Sequence, residues 1–168
     1  MISQNKINIL HIVEDASNKT GGGISTVVKI LTNGIKSESV QQEIVCNIAP
    51  EESSSIFTKT TVFKKSDFLG WGYSKELKDF LSEKSQEPNT IFHIHGIWKA
   101  IQYLAVKSAI NNKTPCLISL HGIMEPNLSN AQGFFKRTKK YLYWKIFSKI
   151  FKKVQNIHAI TNMEANNL

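Results

Sequence analysis

The chain has 168 residues, 41% of them hydrophobic, which is about one domain with enough apolar side chains to bury a core, and this excludes a disordered polypeptide. No run approaches the roughly 18–20 apolar residues that cross a bilayer, and "MISQNKINILHIVED" lacks a signal-peptide pattern, so a cytoplasmic protein is expected. The net charge of +8 is local: residues 134–153 hold eight of the 21 basic residues and no acid, and the rest of the chain is neutral.

The first element, "INILHIV" (7–13), is a short β-rich run. "NKTGGGISTVVKILTNGI" follows, a glycine-rich loop opening an amphipathic helix with Ile24, Val27, Val28 and Leu31 at helical spacing and Gly34 to stop it. A second strand is expected at "QEIVCNI" (42–48), a polar loop at "ESSS", and a short edge strand at "TTVFKK" (60–65). "SKELKDFLSEK" (74–84) predicts a helix capped by Ser74, with Leu77, Phe80 and Leu81 on one face. The strand "TIFHIHG" leads to a helix over "WKAIQYLAVKSAINN" with Ile101, Leu104, Ala105 and Ser108 in register. The strand "TPCLISLHG" comes before a long helix over "FFKRTKKYLYWKIFSKIFKKV", striped by Tyr143, Ile146, Phe147, Ile150, Phe151 and Val154. A last strand, "NIHAIT", runs into the start of a further helix, "NMEANNL".

Strands alternating with helices predict an α/β domain, a parallel sheet wound with helices on both faces. Cys46 and Cys116 lie in strand-like runs without a CxxC pattern and are expected to be free thiols.

In such a sheet ligands sit outside the carboxyl ends of the strands, where the glycine loop, Gly96 and Gly122 all fall. Gly21, Gly22 and Gly23 before a helix leave bare N–H groups and a positive helix end for an anion, or simply make a tight turn. They match neither the dinucleotide fingerprint nor a P-loop. His93 and His95 form an H-x-H on one strand face. A metal is disfavoured, because only three aspartates exist and the chain is too short for a barrel hydrolase. One histidine of the pair is expected inside the sheet, with His95, beside Gly96, reaching the rim. His121 also ends a strand before a glycine, and "IMEPNLS" after it offers Glu125, Pro126 and Asn127 to a pocket; a capping role at the sheet edge is the alternative. The basic helix either packs with a solvated face or touches an anionic membrane, since Phe134, Phe135, Tyr141 and Trp144 interleave with Lys136, Arg137, Lys139, Lys140 and Lys145. No nucleic-acid recognition module is present, so nucleic acid is not an expected partner.

Taken in order, "GGGIS", "HIHGIW", "PCLISLHGIMEP", the basic aromatic helix and "IHAITNMEA" resemble the N-terminal, acceptor-side domain of the retaining GT-B glycosyltransferases of family 4, enzymes of bacterial capsule, exopolysaccharide and lipopolysaccharide assembly. The resemblance spans nearly the whole chain. It implies a Rossmann-like half of a GT-B architecture, with residues 1–168 a single N-terminal domain that is incomplete at its C-terminus and lacks the donor-binding domain. It further implies Gly22 and Gly23 against the donor diphosphate or the acceptor, His121 on the transferred sugar, and His95, Gly96 and Trp98, with Gly122 and Glu125, shaping the acceptor side. No cofactor and no metal are implied; a nucleotide-sugar is the donor substrate, a glycan or lipid-linked glycan the acceptor, and the missing donor domain a partner in cis or in trans. Catalysis would consist of positioning and of stabilising an oxocarbenium-like state. The competing expectation is a non-catalytic module whose basic aromatic helix holds an anionic partner, either a membrane surface or nucleic acid; a small nucleotide-binding regulator fits less well, because the fingerprint glycines do not match.

Overall fold

The computed structural model describes residues 6–50, 58–65, 71–122 and 134–166. Six strands form one sheet: β1 (Ile7–Ile12), β2 (Val40–Cys46), β3 (Lys59–Val62), β4 (Thr90–His95), β5 (Cys116–Ser119) and β6 (Asn156–His158). Every neighbouring pair is parallel, and the order is β3-β2-β1-β4-β5-β6. The connections carry α1 (Gly22–Gly34), α2 (Lys75–Lys84), α3 (Ala100–Asn112) and α4 (Phe134–Phe151), and a short α5 (Asn162–Asn166) follows β6. The protein is therefore an α/β domain of Rossmann-like fold, and its strand order reverses direction between β1 and β4, where such sheets open a crevice.

Period-2 alternation sends successive side chains of each strand to opposite faces. Leu10, Ile12, Val45, Phe92, Ile94 and Ile118 lie on one face, and α2, α3 and α4 seal it with Leu77, Leu81, Ile101, Leu104, Ala105, Tyr143, Phe147 and Phe151. α3 is buried along most of its surface because α2 and α4 flank it on this face. The opposite face carries His11, Gln42, Ile44, Cys46, His93, His95, Ser119 and His158, brought side by side by the register His11↔Ile44, His11↔His93, His95↔Ser119 and Ser119↔His158. α1 covers its β1–β2 part through Val28, packed with Ile44 and Cys46.

Two helix faces differ from the sequence reading. α1 buries Val28 of the expected stripe and packs Ile24 against the same cluster, leaves Val27 and Leu31 half-buried, and adds buried Ser25 and Thr32, because it lies on the polar face, where Gln42 bonds to the Thr32 carbonyl. On α4, Tyr143, Phe147 and Phe151 are buried as expected, but Ile146 is 51% exposed, beyond the edge of the stripe that α3 meets. Ser74 caps α2 as predicted, its side chain accepting from the Leu77 N–H at 3.0 Å. Cys46 and Cys116 are free thiols.

Candidate functional site at the carboxyl ends of the strands

The crevice at the β1/β4 reversal is a cleft of about 320 Å³. Val13, Glu14 and Asp15 after β1, Thr20, Gly21 and Ile24 of the glycine loop and α1, and His95, Gly96, Ile97, Trp98 and Lys99 after β4 form most of its walls. A wider groove of about 650 Å³ opens at the amino ends of the strands, around Asn89, Thr90 and Pro115, and holds none of the histidines.

The loop is built by Asp15. Its Oδ1 accepts from the Ser17 N–H at 2.8 Å and its Oδ2 from the Thr20 hydroxyl at 2.5 Å, while the Ser17 and Thr20 hydroxyls lie 2.8 Å apart. Burial pushes the Asp15 carboxyl up, but these hydrogen bonds and the charge of Lys65 outweigh it and hold the group below its ordinary range. Gly21 is obligatory here: a Cβ would stand 2.6 Å from the Ser17 carbonyl oxygen and 2.7 Å from that of Asp15. Gly22 has φ +59°, and Cβ atoms at Gly22 and Gly23 would meet nothing, so these two present open backbone at the start of α1. That helix has no side-chain cap. On the far wall, Glu14 Oε1 receives both Lys65 Nζ at 2.8 Å and Lys99 Nζ at 2.7 Å, a bridge between the β1 and β4 ends.

All five histidines of the chain meet on the polar face. His11 Nε2 lies 3.0 Å from Gln42 Oε1, His11 Nδ1 lies 3.2 Å from His95 Nε2, and His95 Nδ1 lies 3.0 Å from His121 Nε2. A second branch runs from His93 Nε2 to the Ser119 hydroxyl at 2.9 Å and on to His158 Nδ1 at 3.2 Å. The His93 and His95 rings are 4.1 Å apart, as H-x-H on one face requires. Burial, reinforced for His93 and His95 by their neighbouring imidazoles, makes protonation costly: His93 is lowered to about 4, His95 well below its ordinary value, and His11 downward against a smaller opposing effect of its bond to Gln42. His121 is lowered by burial and then by the charge of His158, with Glu164 pulling the other way.

These positions correct one expectation. His95 is the buried member of the pair, at 1% exposure, because the His11 and His121 rings flank it, one against each of its ring nitrogens. It still forms part of the cleft wall, while His93 is only half-buried. His121 and Gly122 follow β5 in left-handed backbone, φ +59° and +79°, so the turn carries the half-buried His121 ring back toward β4. Among the expected residues, Gly21, His95, Gly96 and Trp98 share the cleft, and His121 is tied to it through His95. Glu125 lies outside the described residues, as do the side chains of Lys136, Arg137, Lys139 and Lys140. Trp144 turns inward and packs against Trp98, Phe147 and Phe151, whereas among the described side chains of α4 Tyr141, Leu142 and Ile146 are exposed and apolar, beside exposed Lys145 and Lys149.

Gln42, Ser119 and His11 are site residues that sequence spacing did not single out. The signal was present in parity: "LHIV" and "FHIHG" set histidines two residues apart in phase on neighbouring strands, but only the register shows that they face each other. The ligand nitrogens of His11, His93 and His95 all lie within 4.8 Å of one another, a grouping that could be read as a cation site. Nitrogens bound to a tetrahedral zinc stand about 3.3 Å apart, a spacing that His11 Nδ1 and His95 Nε2 have at 3.2 Å; a cation there would replace the hydrogen bond between those two rings.

No family model and no curated protein sequence matches the chain. Among solved structures, the chain is similar to a 2.2 Å crystal structure of a Listeria monocytogenes protein named as a UDP-N-acetylglucosamine 2-epimerase, with a TM-score of 0.55 at 12% identity. That match covers 96% of this chain and 41% of the other, so the chain spans about two-fifths of that structure's length. At this identity the likeness is one of fold.

Proposed function

We propose that this chain is the acceptor-side half of a GT-B glycosyltransferase that moves a sugar from a nucleotide-sugar to a glycan or lipid-linked acceptor, of the kind used in bacterial surface polysaccharide assembly. The observation that carries this reading is the cleft at the β1/β4 reversal, lined by Gly21 and His95, with the open Gly22 and Gly23 backbone at the adjoining uncapped start of α1 and with His121 tied to the cleft through His95. Bare N–H groups suit a diphosphate, and neutral imidazoles suit sugar hydroxyls. Likeness in fold to a protein named for a UDP-sugar reaction agrees with this class of substrate. In the proposal Gly22 and Gly23 approach the donor diphosphate or the acceptor, His121 contacts the transferred sugar, and His95, Gly96 and Trp98 shape the acceptor side. A second domain supplies most donor contacts, the reaction uses no metal cofactor, and the isolated chain is inactive.

Membrane contact is proposed through α4. No helix among the described residues is long and apolar enough to cross a membrane. The outer side of α4 instead sets exposed Tyr141, Leu142 and Ile146 beside exposed Lys145 and Lys149, a pattern that suits an anionic interface. The test is to express the chain alone and joined to the coding sequence that follows it at its locus, and to measure nucleoside-diphosphate release from a panel of nucleotide-sugars with glycan acceptors. Release by the joined form alone supports the proposal. Absence of release from both forms, with salt-sensitive vesicle binding retained, supports the non-catalytic binding module instead.

A further inference from the structure

We infer that Gln42 and His11 are positioning residues that act through His95 to hold His121 as the Nε2–H tautomer, with its Nδ1 lone pair at the rim as an acceptor for a substrate hydroxyl. The inference starts from an amide whose orientation is fixed. Gln42 Nε2 lies 3.1 Å from the Thr32 carbonyl oxygen and 2.9 Å from that of Ile35, and both of these atoms only accept. Rotating the amide would set its own oxygen against two carbonyls, so Oε1 must face His11. An amide oxygen only accepts, so His11 Nε2 carries the proton.

Burial keeps His11 and His95 neutral, and a neutral imidazole has one donor and one acceptor. His11 Nδ1 is therefore an acceptor, and the donor facing it at 3.2 Å is His95 Nε2–H. His95 Nδ1 is then an acceptor in turn, and His121 Nε2–H donates to it at 3.0 Å. The polarity set at Gln42 thus passes along three rings and ends at His121 Nδ1. Such an atom accepts from a hydroxyl and repels a phosphate oxygen, so His121 belongs on the sugar side of the site and not on the diphosphate. This ligand assignment rests on the transferase reading; the tautomers do not.

The test is long-range proton–nitrogen correlation NMR of the ¹⁵N-histidine-labelled chain near neutral pH, where each ring's pattern identifies the protonated nitrogen. His11, His95 and His121 are each expected as a single Nε2–H form with a retained N–H resonance. Gln42→Leu is expected to convert them to tautomer mixtures while the backbone spectrum stays that of the native fold. Nδ1–H on His95 or His121 in the native chain would overturn the inference, as would zinc shifting the His11, His93 and His95 rings together at stoichiometric concentration. The native spectrum decides even if Gln42→Leu fails to fold. Because the readout needs no turnover, absence of sugar transfer would leave the tautomer assignment standing, and a wrong tautomer would leave the transferase proposal standing.

Discussion

The two faces of the one sheet solve different problems with alternate residues of the same strands. On the apolar face Leu10, Ile12, Phe92, Ile94 and Ile118 are sealed by three helices, and nearly every side chain is lost to solvent. On the polar face His11, Gln42, His93, His95 and Ser119 occupy the intervening positions; all but the half-buried His93 are buried, and His158 on the edge strand β6 is exposed. The helix entries differ in the same way. α2, on the apolar face, is closed by the Ser74 hydroxyl, whereas α1, on the polar face, opens from Gly21 with no side-chain cap. A parallel sheet needs cover on both faces; here α1 covers the β1–β2 part of the polar face, and the polar groups of that face satisfy one another across neighbouring strands.

The largest effect should come from the sealed face. Phe92 is fully buried in the main core, and Phe92→Ala is expected to cost about 3–5 kcal/mol, read as a shift in the urea midpoint at pH 7. A loss below about 1 kcal/mol would mean that this face does not carry the fold.

Acid should act on the other face. His93 titrates at about 4 in the fold against about 6.5 when unfolded, so between those values the unfolded chain binds more protons and stability rises with pH. The contribution is fully present above about pH 6.5 and is lost as pH falls through 4. His11, His95 and His121 are displaced in the same direction, while Glu164 opposes the effect at His121 and Asp15 holds its proton loosely on the loop side. After discounting for the half-exposed ring, His93→Gln is expected to remove about 2 kcal/mol of the difference in stability between pH 7 and pH 4. An unchanged pH slope would show that the cluster is not held neutral.

The glycines sharpen the contrast within the polar face. Gly21→Ala drives a Cβ into two carbonyl oxygens and should cost about 1.5 kcal/mol, whereas Gly23→Ala meets nothing and should leave stability within about 0.5 kcal/mol. If the cleft takes a diphosphate against this backbone, Gly23→Ala should weaken donor binding despite its neutral effect on folding. Among the destabilising changes the cap is the mildest: Ser74→Ala should cost about 1 kcal/mol by thermal melting.

Much of the apolar face was legible in the sequence, because helices and buried parallel strands announce themselves by period and by continuous apolar runs. The spacing of Leu77 with Leu81 and of Ile101 with Leu104 and Ala105 located the helices that seal it. The polar face was legible only in part. The glycine loop and the His-Gly strand ends pointed to the carboxyl edge, and Gly21, His95, Gly96 and Trp98 do meet there. The exchange of depth between His93 and His95, and the roles of Gln42 and Ser119, depend on the strand order, which no local pattern encodes. Ile146 was misplaced for a related reason: a helical stripe gives a direction, but the width of the buried face is set by the neighbouring helix, here α3.

The central claim is that the polar face serves a sugar site while the apolar face serves the fold, and His121→Ala in the chain joined to its downstream sequence tests it most directly. Turnover of the nucleotide-sugar should fall at least about 100-fold while stability falls by only about 1–3 kcal/mol, the cost of leaving the buried His95 Nδ1 without its donor. Full turnover in that variant, or a loss of activity that merely tracks a loss of stability, would contradict the claim.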